Sequence, residues 1–328
     1  MLTYEQLKDC PRELLAATGL TVEEFERLLP AFETAYATQY PAQHTLAGKP
    51  RQRQPGGGAT GVLDQPADRL FFSMVYLKTN PLQTMHGLQF GLSQPQTNYW
   101  LHHLLPVAQA ALRALGMTPE RDGSRVADQA LAQEGTPDFA LDGTARRRQR
   151  PQDATEQKEH YSGKKKTHTD KNIILINEST SKVIYLGPTE PGTKHDKKAA
   201  DEAAIVYPTN ATLDQDTGFQ GYAPADVLVR QPKKKPRGQE LGAADKFLNQ
   251  IISSVRIEVE HVIAGIKRCR IVKDVLRLTT DGISDLVMEI ACGLHNLRVS
   301  CRQPLPEFDL RDLLNPDLRD LFNPAYCR

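Results

Sequence analysis

The sequence predicts an α/β chain: an all-helical N-terminal part carrying a helix-turn-helix, then a mixed sheet flanked by helices. Three observations predict it. Up to residue 116 the apolar residues recur at helical spacing, with two capping boxes among them. From residue 139 the pattern changes to short β-branched runs between turn residues. After residue 241 helical periodicity returns in two long segments, which places helices on the faces of the sheet.

Residues 1–46 read as an N-terminal helical region. Thr21 and Glu24 form a Thr-x-x-Glu capping box, and Val22, Phe25, Leu28, Leu29 and Phe32 follow on one stripe. Residues 47–65 are a linker rich in Pro, Gly and Arg. In it Gly56, Gly58 and Gly61 match Gly-x-Gly-x-x-Gly. A proline-bearing polar run stands where that motif needs a strand, so no nucleotide loop is expected. Residues 66–116 hold short helices. Leu70, Phe71, Met74, Val75 and Leu77 are apolar in the first, Gly91–Ser93 make a tight turn, and Ser93 with Gln96 forms a second capping box. Leu101, Leu104, Leu105, Ala108, Ala111, Leu112 and Leu115 then share one face, and Pro106 is expected to split this run into two helices. Helix, tight turn, polar-faced helix is the helix-turn-helix plan. Gln94, Gln96, Thr97, Asn98 and His102 are the types that reach base edges or phosphates. A small helical bundle with a polar face fits the same pattern.

Residues 117–135 are a polar connector. Strands are expected at 139–144, 168–178, 181–187, 211–219 and 226–232, with a helix at 194–207. A long helix is expected at 241–270 and another at 275–303; residues 304–328 form a C-terminal tail.

Composition excludes several classes. With 41 Lys+Arg against 40 Asp+Glu and 39% hydrophobic residues, the chain is neither a disordered acidic tail nor a collagen-like fibre. No apolar run approaches the roughly 18–20 residues of a membrane helix, and the start, MLTYEQLKDC, carries no secretory signal. Five widely spaced cysteines, without Cys-x-x-Cys, give neither a disulfide framework nor a zinc site, and fit a reducing cytoplasm.

The near-neutral total hides local charge. Between Asp142 and Lys171 stand nine basic residues, Arg146, Arg147, Arg148, Arg150, Lys158, Lys164, Lys165, Lys166 and Lys171, against five acids. A second cluster, Arg230, Lys233, Lys234, Lys235 and Arg237, has no acid. Such clusters on loops beside strand ends suit a phosphate backbone; a solvated charge run is the plainer alternative for either alone.

Three acids occupy telling positions. Asp142 ends the apolar run FALD, Asp216 ends another strand, and Glu260 lies within the long helix. Carboxylates at strand ends and on a facing helix can converge at one sheet edge and hold two Mg²⁺ ions for phosphodiester chemistry. Around Glu260, Arg256 and Lys267 complete Arg-x₃-Glu-x₆-Lys, a stripe on one helical face from which the two cations can contact DNA phosphates.

Together these motifs resemble a DDE-superfamily transposase of bacterial insertion sequences, in the group related to eukaryotic Harbinger elements. LDGTARRRQRPQ and KEHYSGKKKTHT resemble the first-aspartate region, DTGFQGY the Asp-x-Gly-[Phe/Tyr] region, and RIEVEHVIAGIKR the glutamate region. LQFGLSQPQTNYWLHHLLP resembles the preceding helix-turn-helix, and Lys-His-Asp at 194–196 adds to the match; Ser253 stands where the signature has Tyr. The resemblance implies a ribonuclease-H-like catalytic domain over 136–303. Asp142, Asp216 and Glu260 would be its catalytic and metal-binding acids, with two Mg²⁺ ions per site and Mn²⁺ as substitute. It implies double-stranded DNA as partner, both the terminal inverted repeats and the target. It further implies cleavage of the element ends, joining of the freed 3′-hydroxyl, and a homodimer or larger assembly in the bacterial cytoplasm, on the nucleoid. Asp214, two residues before Asp216 on the same strand face, is the alternative second aspartate. A non-cutting DNA-binding protein and another ribonuclease-H-like nuclease are the rival readings.

Overall fold

The computed structural model describes residues 1–45, 48–50, 61–233 and 240–302, without the side chains of Ala244, Asp245, Leu248, Ile251 and Ser253–Val255. Gly56 and Gly58, Lys234 and Lys235, and the tail 304–328 lie outside these residues.

Three helices open the chain: α1 (Tyr4–Leu7), α2 (Pro11–Thr18) and α3 (Val22–Gln39). The Thr21 box forms: the Glu24 N–H donates to Thr21 Oγ1 at 3.2 Å and the Thr21 N–H donates to the Glu24 carboxylate at 2.8 Å. Then come α4 (Pro66–Thr79), α5 (Gln83–Phe90) and α6 (Gln94–Ala114). Gly91 turns the chain between α5 and α6 with φ +67°, a value that side chains disfavour, and Ser93 caps α6.

The second half contains β1 (Asp138–Arg147), α7 (Ala154–His160), β2 (Tyr161–Ser162), β3 (Thr167–Asn177), β4 (Lys182–Leu186) and β5 (Glu190–Pro191). It continues with α8 (Asp196–Ala203), β6 (Thr212–Gln215), β7 (Leu228–Arg230), α9 (Ala243–Ile266), α10 (Arg270–Lys273) and α11 (Ile283–Arg302). The sheet runs β4-β3-β1-β6-β7. β3 is antiparallel to β1 and β4, whereas β1, β6 and β7 are parallel, so it is a mixed sheet. β2 and β5 pair only with β3. β3 is apolar on both faces. Ile173 and Leu175 join a core with α8, while Ile174 and Ile176 join the larger core built with the helices.

That larger core takes side chains from α1–α6, one sheet face and α9–α11. The helix-turn-helix therefore rests directly on the sheet domain. Asn296 of α11, fully buried, donates to the Met117 and Val183 carbonyls and accepts the Val183 N–H, and Arg113 of α6 pairs with Glu289 of α11 at 2.9 Å. The connector is packed too: two 3₁₀ turns occupy 123–128 and 130–132, and Glu120 bonds the backbone of β4.

Two expectations are corrected. Pro106 does not split its helix; α6 runs unbroken from Gln94 to Ala114. A proline inside a helix costs about 3 kcal/mol, but each fully buried leucine contributes about 1.5–3 kcal/mol. Leu101, Leu104 and Leu105 before the proline and Val107 and Leu112 beyond it are all fully buried. The long helix stops at Ile266 and does not continue to 270. Arg298 Nη2 takes the Gly265 carbonyl at 2.7 Å, and the Cys269 N–H bonds Ile266 instead. Lys267 is thus a C-cap residue. The described cysteines, Cys10, Cys269, Cys292 and Cys301, are free, and no helix among the described residues is long and apolar enough to cross a membrane.

Candidate active site

β1 and β6 keep parallel register only as far as Leu141 and Gln215. Asp142 and Asp216 are the next residues on the two chains, so both carboxylates emerge where that ladder ends. Carboxyl ends of parallel strands are where open α/β sheets gather ligands. Asp142 Oδ1 accepts the Gly143 N–H at 2.7 Å. Asp216 leaves the strand to cap a 3₁₀ turn at Thr217–Phe219, its Oδ1 accepting the Thr217 N–H at 2.6 Å. α9 crosses this end of the sheet. Arg256 Nη1 lies 3.1 Å from Asp216 Oδ1, and Leu141, Asp142, Asp216, Arg256 and Val259 line one shallow pocket.

Electrostatics tie Glu260 to the same place. The Asp142 carboxyl is pushed up to about 6, chiefly by burial and also by Glu260 and Asp216, while the Gly143 N–H and Arg256 hold it down. Asp142 feels the charges of the other two acids, but the three do not close on one point. Among the described residues no three His, Cys, Asp or Glu side chains stand close enough to hold a single ion. The donor set still suits a hard divalent cation, because all of it is carboxylate oxygen.

Basic side chains rim the acids. The Lys267 ammonium is held below its ordinary value by burial and by Lys165, and Glu260 and Asp142 pull the other way. Lys165 is itself lowered by burial, Lys164, Lys171 and Arg147. The exposed turn Lys164–Lys166 and the exposed Arg147 therefore lie beside the end of α9.

The structure separates other expected residues. Asp214 also lines the shallow pocket, but it is 2% exposed and both its oxygens accept from Arg230, at 2.9 and 2.7 Å, so it is committed to a buried ion pair. Arg146 does not face DNA. It is 5% exposed, donates to Asn172 Oδ1 at 3.1 and 2.8 Å and to the Ser284 carbonyl at 2.9 Å, and ties β1 and β3 to α11. Alternation along β1 turns Arg146 in and Arg147 out. Arg148 pairs with Asp170 at 3.1 Å and keeps partial exposure. Lys233 exchanges backbone bonds with the Asn249 side chain on α9.

On the helix-turn-helix, Thr97 is fully buried and donates to the Ser93 carbonyl at 2.9 Å, so it cannot read bases. Its place about one turn before Leu101 puts it on the core side of α6. Gln96 is exposed, with its carbonyl oxygen in the capping box. Gln94 and Asn98 are joined through Gln83, and His102 meets Thr280 at 3.4 Å. Tyr99, 43% exposed and with its ring 4.0 Å from that of His103, is a further exposed side chain on this helix that an aromatic-to-core reading passes over. Its position off the Leu101–Leu104–Ala108 stripe was the available signal. Asp196 of α8, the last residue of the Lys-His-Asp at 194–196, packs its carboxylate against Gly143 and Gly218.

Residues 141–296 match the family model of the DDE superfamily endonuclease, and residues 62–114 match that of the helix-turn-helix of DDE superfamily endonucleases. The chain is similar to a protein of Microchaete diplosiphon named as a transposase for an insertion sequence element, 24% identical over 249 residues, 75% of this chain and 84% of that one. It is also similar to a protein of Streptomyces albus G named as a transposase for another such element, 26% identical over 235 residues, 71% of this chain and 80% of that one. Both models match in the order in which the fold presents them, helix-turn-helix first and acid-bearing sheet second, and the chain belongs to the DDE superfamily of endonucleases.

Proposed function

We propose that the protein is the transposase of an insertion sequence, cutting double-stranded DNA at the element ends and joining the freed 3′-hydroxyl to target DNA. One observation carries the reading. Asp142 and Asp216 stand at the same level just past the paired stretch of the parallel strands β1 and β6, and the charges of Glu260 on α9, Lys267 and Lys165 act on the same place. Asp142, Asp216 and Glu260 would hold divalent ions, Mg²⁺ or Mn²⁺, two per site. Bound there, the ions would supply an activated water or 3′-hydroxyl and stabilise the leaving oxygen.

The chain's own groups do the rest. Asp142 must give up its proton to bind a cation. Arg256 now neutralises Asp216 through a pair that is half open to solvent, 38% and 35% exposed, so a cation and a phosphate can take over from it. Lys165, Lys267 and Arg147 would bind the phosphates on either side of the cut, and α6 would read the terminal repeat through Gln94, Gln96, Asn98 and Tyr99. Arg148, His102 and the cluster at Lys233 extend the basic and polar surface. Two ends must be cut and joined together, which calls for a dimer or larger assembly on the DNA; the reaction belongs on the bacterial nucleoid.

The test is strand joining. Purified protein, a duplex ending in the inverted repeat that flanks its gene, and a target plasmid should yield joined products with Mg²⁺ or Mn²⁺. End binding without cutting or joining would favour a non-cutting DNA-binding protein.

A further inference from the structure

Asp142, within β1, and Asp216, just after β6, face a problem of spacing. Ladder hydrogen bonds between β1 and β6 cease at Leu141 and Gln215, so none of them sets the gap between Asp142 and Asp216. A third element packs beside both segments. The carboxylate of Asp196, first residue of α8, packs against Gly143 and Gly218. A β-carbon on Gly143 would lie 2.8 Å from Asp196 Oδ1, and one on Gly218 would lie 2.9 Å from Oδ2. Both distances are too short for any real side chain. Glycine inside a strand is disfavoured unless another group approaches closely, as here at Gly143, and the same carboxylate approaches Gly218 in the 3₁₀ turn.

The wedge is itself fixed. Lys171 Nζ, from the middle of β3, lies 2.9 Å from Asp196 Oδ1 and donates to the Lys194 carbonyl at 2.8 Å. Lys171 thus neutralises Asp196 and holds the turn from which α8 starts. With its charge matched, Asp196 adds no net negative charge beside Asp142 and Asp216.

We propose that Asp196, clamped by Lys171, is a positioning residue that sets the separation of Asp142 and Asp216 by filling the space left by Gly143 and Gly218. The proposal rests on the nuclease reading above, but the packing it asserts can be tested without catalysis.

The experiment is a double-substitution cycle on the full chain, read by thermal unfolding, by calorimetric Mn²⁺ binding and by cleavage of an end duplex. Gly143→Ala should lower Tm in the wild-type background and lower it less than half as much in Asp196→Ala, where the β-carbon has room. Gly218→Ala should behave alike and serves if Gly143→Ala does not fold. Asp196→Ala should bind Mn²⁺ about tenfold more weakly and cleave about tenfold more slowly. Asp196→Asn, which keeps the shape, should recover at least a third of the wild-type rate. Equal Tm losses in both backgrounds would overturn the wedge. So would an Asp196→Ala protein with normal Mn²⁺ affinity and rate. Asp196→Asn as inactive as Asp142→Asn would overturn it too, because the carboxylate would then act as a ligand. A wild-type protein that cuts nothing would sink the nuclease reading, while the Tm cycle would still decide the packing.

Discussion

Replacing Asp142 with Asn should abolish cleavage and, at neutral pH, make the protein more stable. The carboxyl is pushed from 3.8 up to about 6 by burial and by Glu260 and Asp216. Between these values the folded protein keeps a proton that the unfolded chain releases. Wild-type stability therefore falls as pH rises through the window, and the loss is complete above it. At about 1.4 kcal/mol per tenfold change in proton affinity, the ceiling is about 3 kcal/mol. The carboxyl is only half-buried, and solvent screening leaves about 1–2 kcal/mol. Asn cannot ionise and escapes the cost. Thermal melts from pH 4 to 8 should show no advantage for Asp142→Asn near pH 4 and a Tm about 2–4 °C higher at pH 8. Mg²⁺ should raise the wild-type Tm more than that of the variant, since a bound ion stabilises only the protein that binds it. A variant less stable than wild type at pH 8, or an advantage of the same size at pH 4, would refute the electrostatic account.

The other predictions concern DNA and acid. Gln94→Ala and Tyr99→Ala should weaken binding to the cognate end more than to random duplex, each base contact carrying about 1–3 kcal/mol of discrimination; competition binding measures it, and equal losses would remove α6 as the reader. Thr97→Val should instead lower Tm and leave that ratio unchanged, because its hydroxyl serves the Ser93 carbonyl. Lys165→Ala with Lys267→Ala should weaken both DNAs alike and flatten the salt dependence of binding, while a slope equal to wild type would place them off the phosphate track. His86 and His295 are buried and held down to about 4, so their contribution to stability is whole above pH 6.5 and is lost as pH falls towards 4. His86→Phe, set among Phe72, Tyr76 and Phe90, should make the acid side of the stability curve less steep; a curve as steep as wild type would contradict this.

Much of the fold was legible because local rules act locally. The boxes at Thr21 and Ser93, the apolar stripe of α6 and the β-branched run of β3 each need only neighbours in sequence. What failed needed partners far away. Pro106 stays helical because α3, α4 and α11 pack around it, and α9 stops early because Arg298, thirty-three residues on, takes its carbonyl. The site divides in the same way. Asp142 and Asp216 could be found from their place after apolar runs, and Glu260 from its helical stripe. Pointing direction was harder. Arg146 and Arg147 look equivalent in a basic run, and only the pairing of β1 with β3 sends one inward. Thr97 looked like a reader because its neighbours are polar, yet the helical phase of Leu101 and Leu104 already placed it near the core. Asp196 left a trace too: two glycines, one directly after Asp142 and one two residues after Asp216, leave room for something to pack against both.

The most direct test of the central claim is cleavage of a duplex carrying the flanking inverted repeat by wild type, Asp142→Asn, Asp216→Asn and Glu260→Gln, each assayed with Mg²⁺, Mn²⁺ or chelator. The account predicts a cut at the repeat boundary by wild type with either metal and none with chelator. It predicts a loss of at least a thousandfold in each variant, with end binding within about twofold of wild type, since these acids act on charge at the cut and not on recognition. A variant that still cuts at more than a tenth of the wild-type rate, or wild-type cutting in chelator, would contradict it.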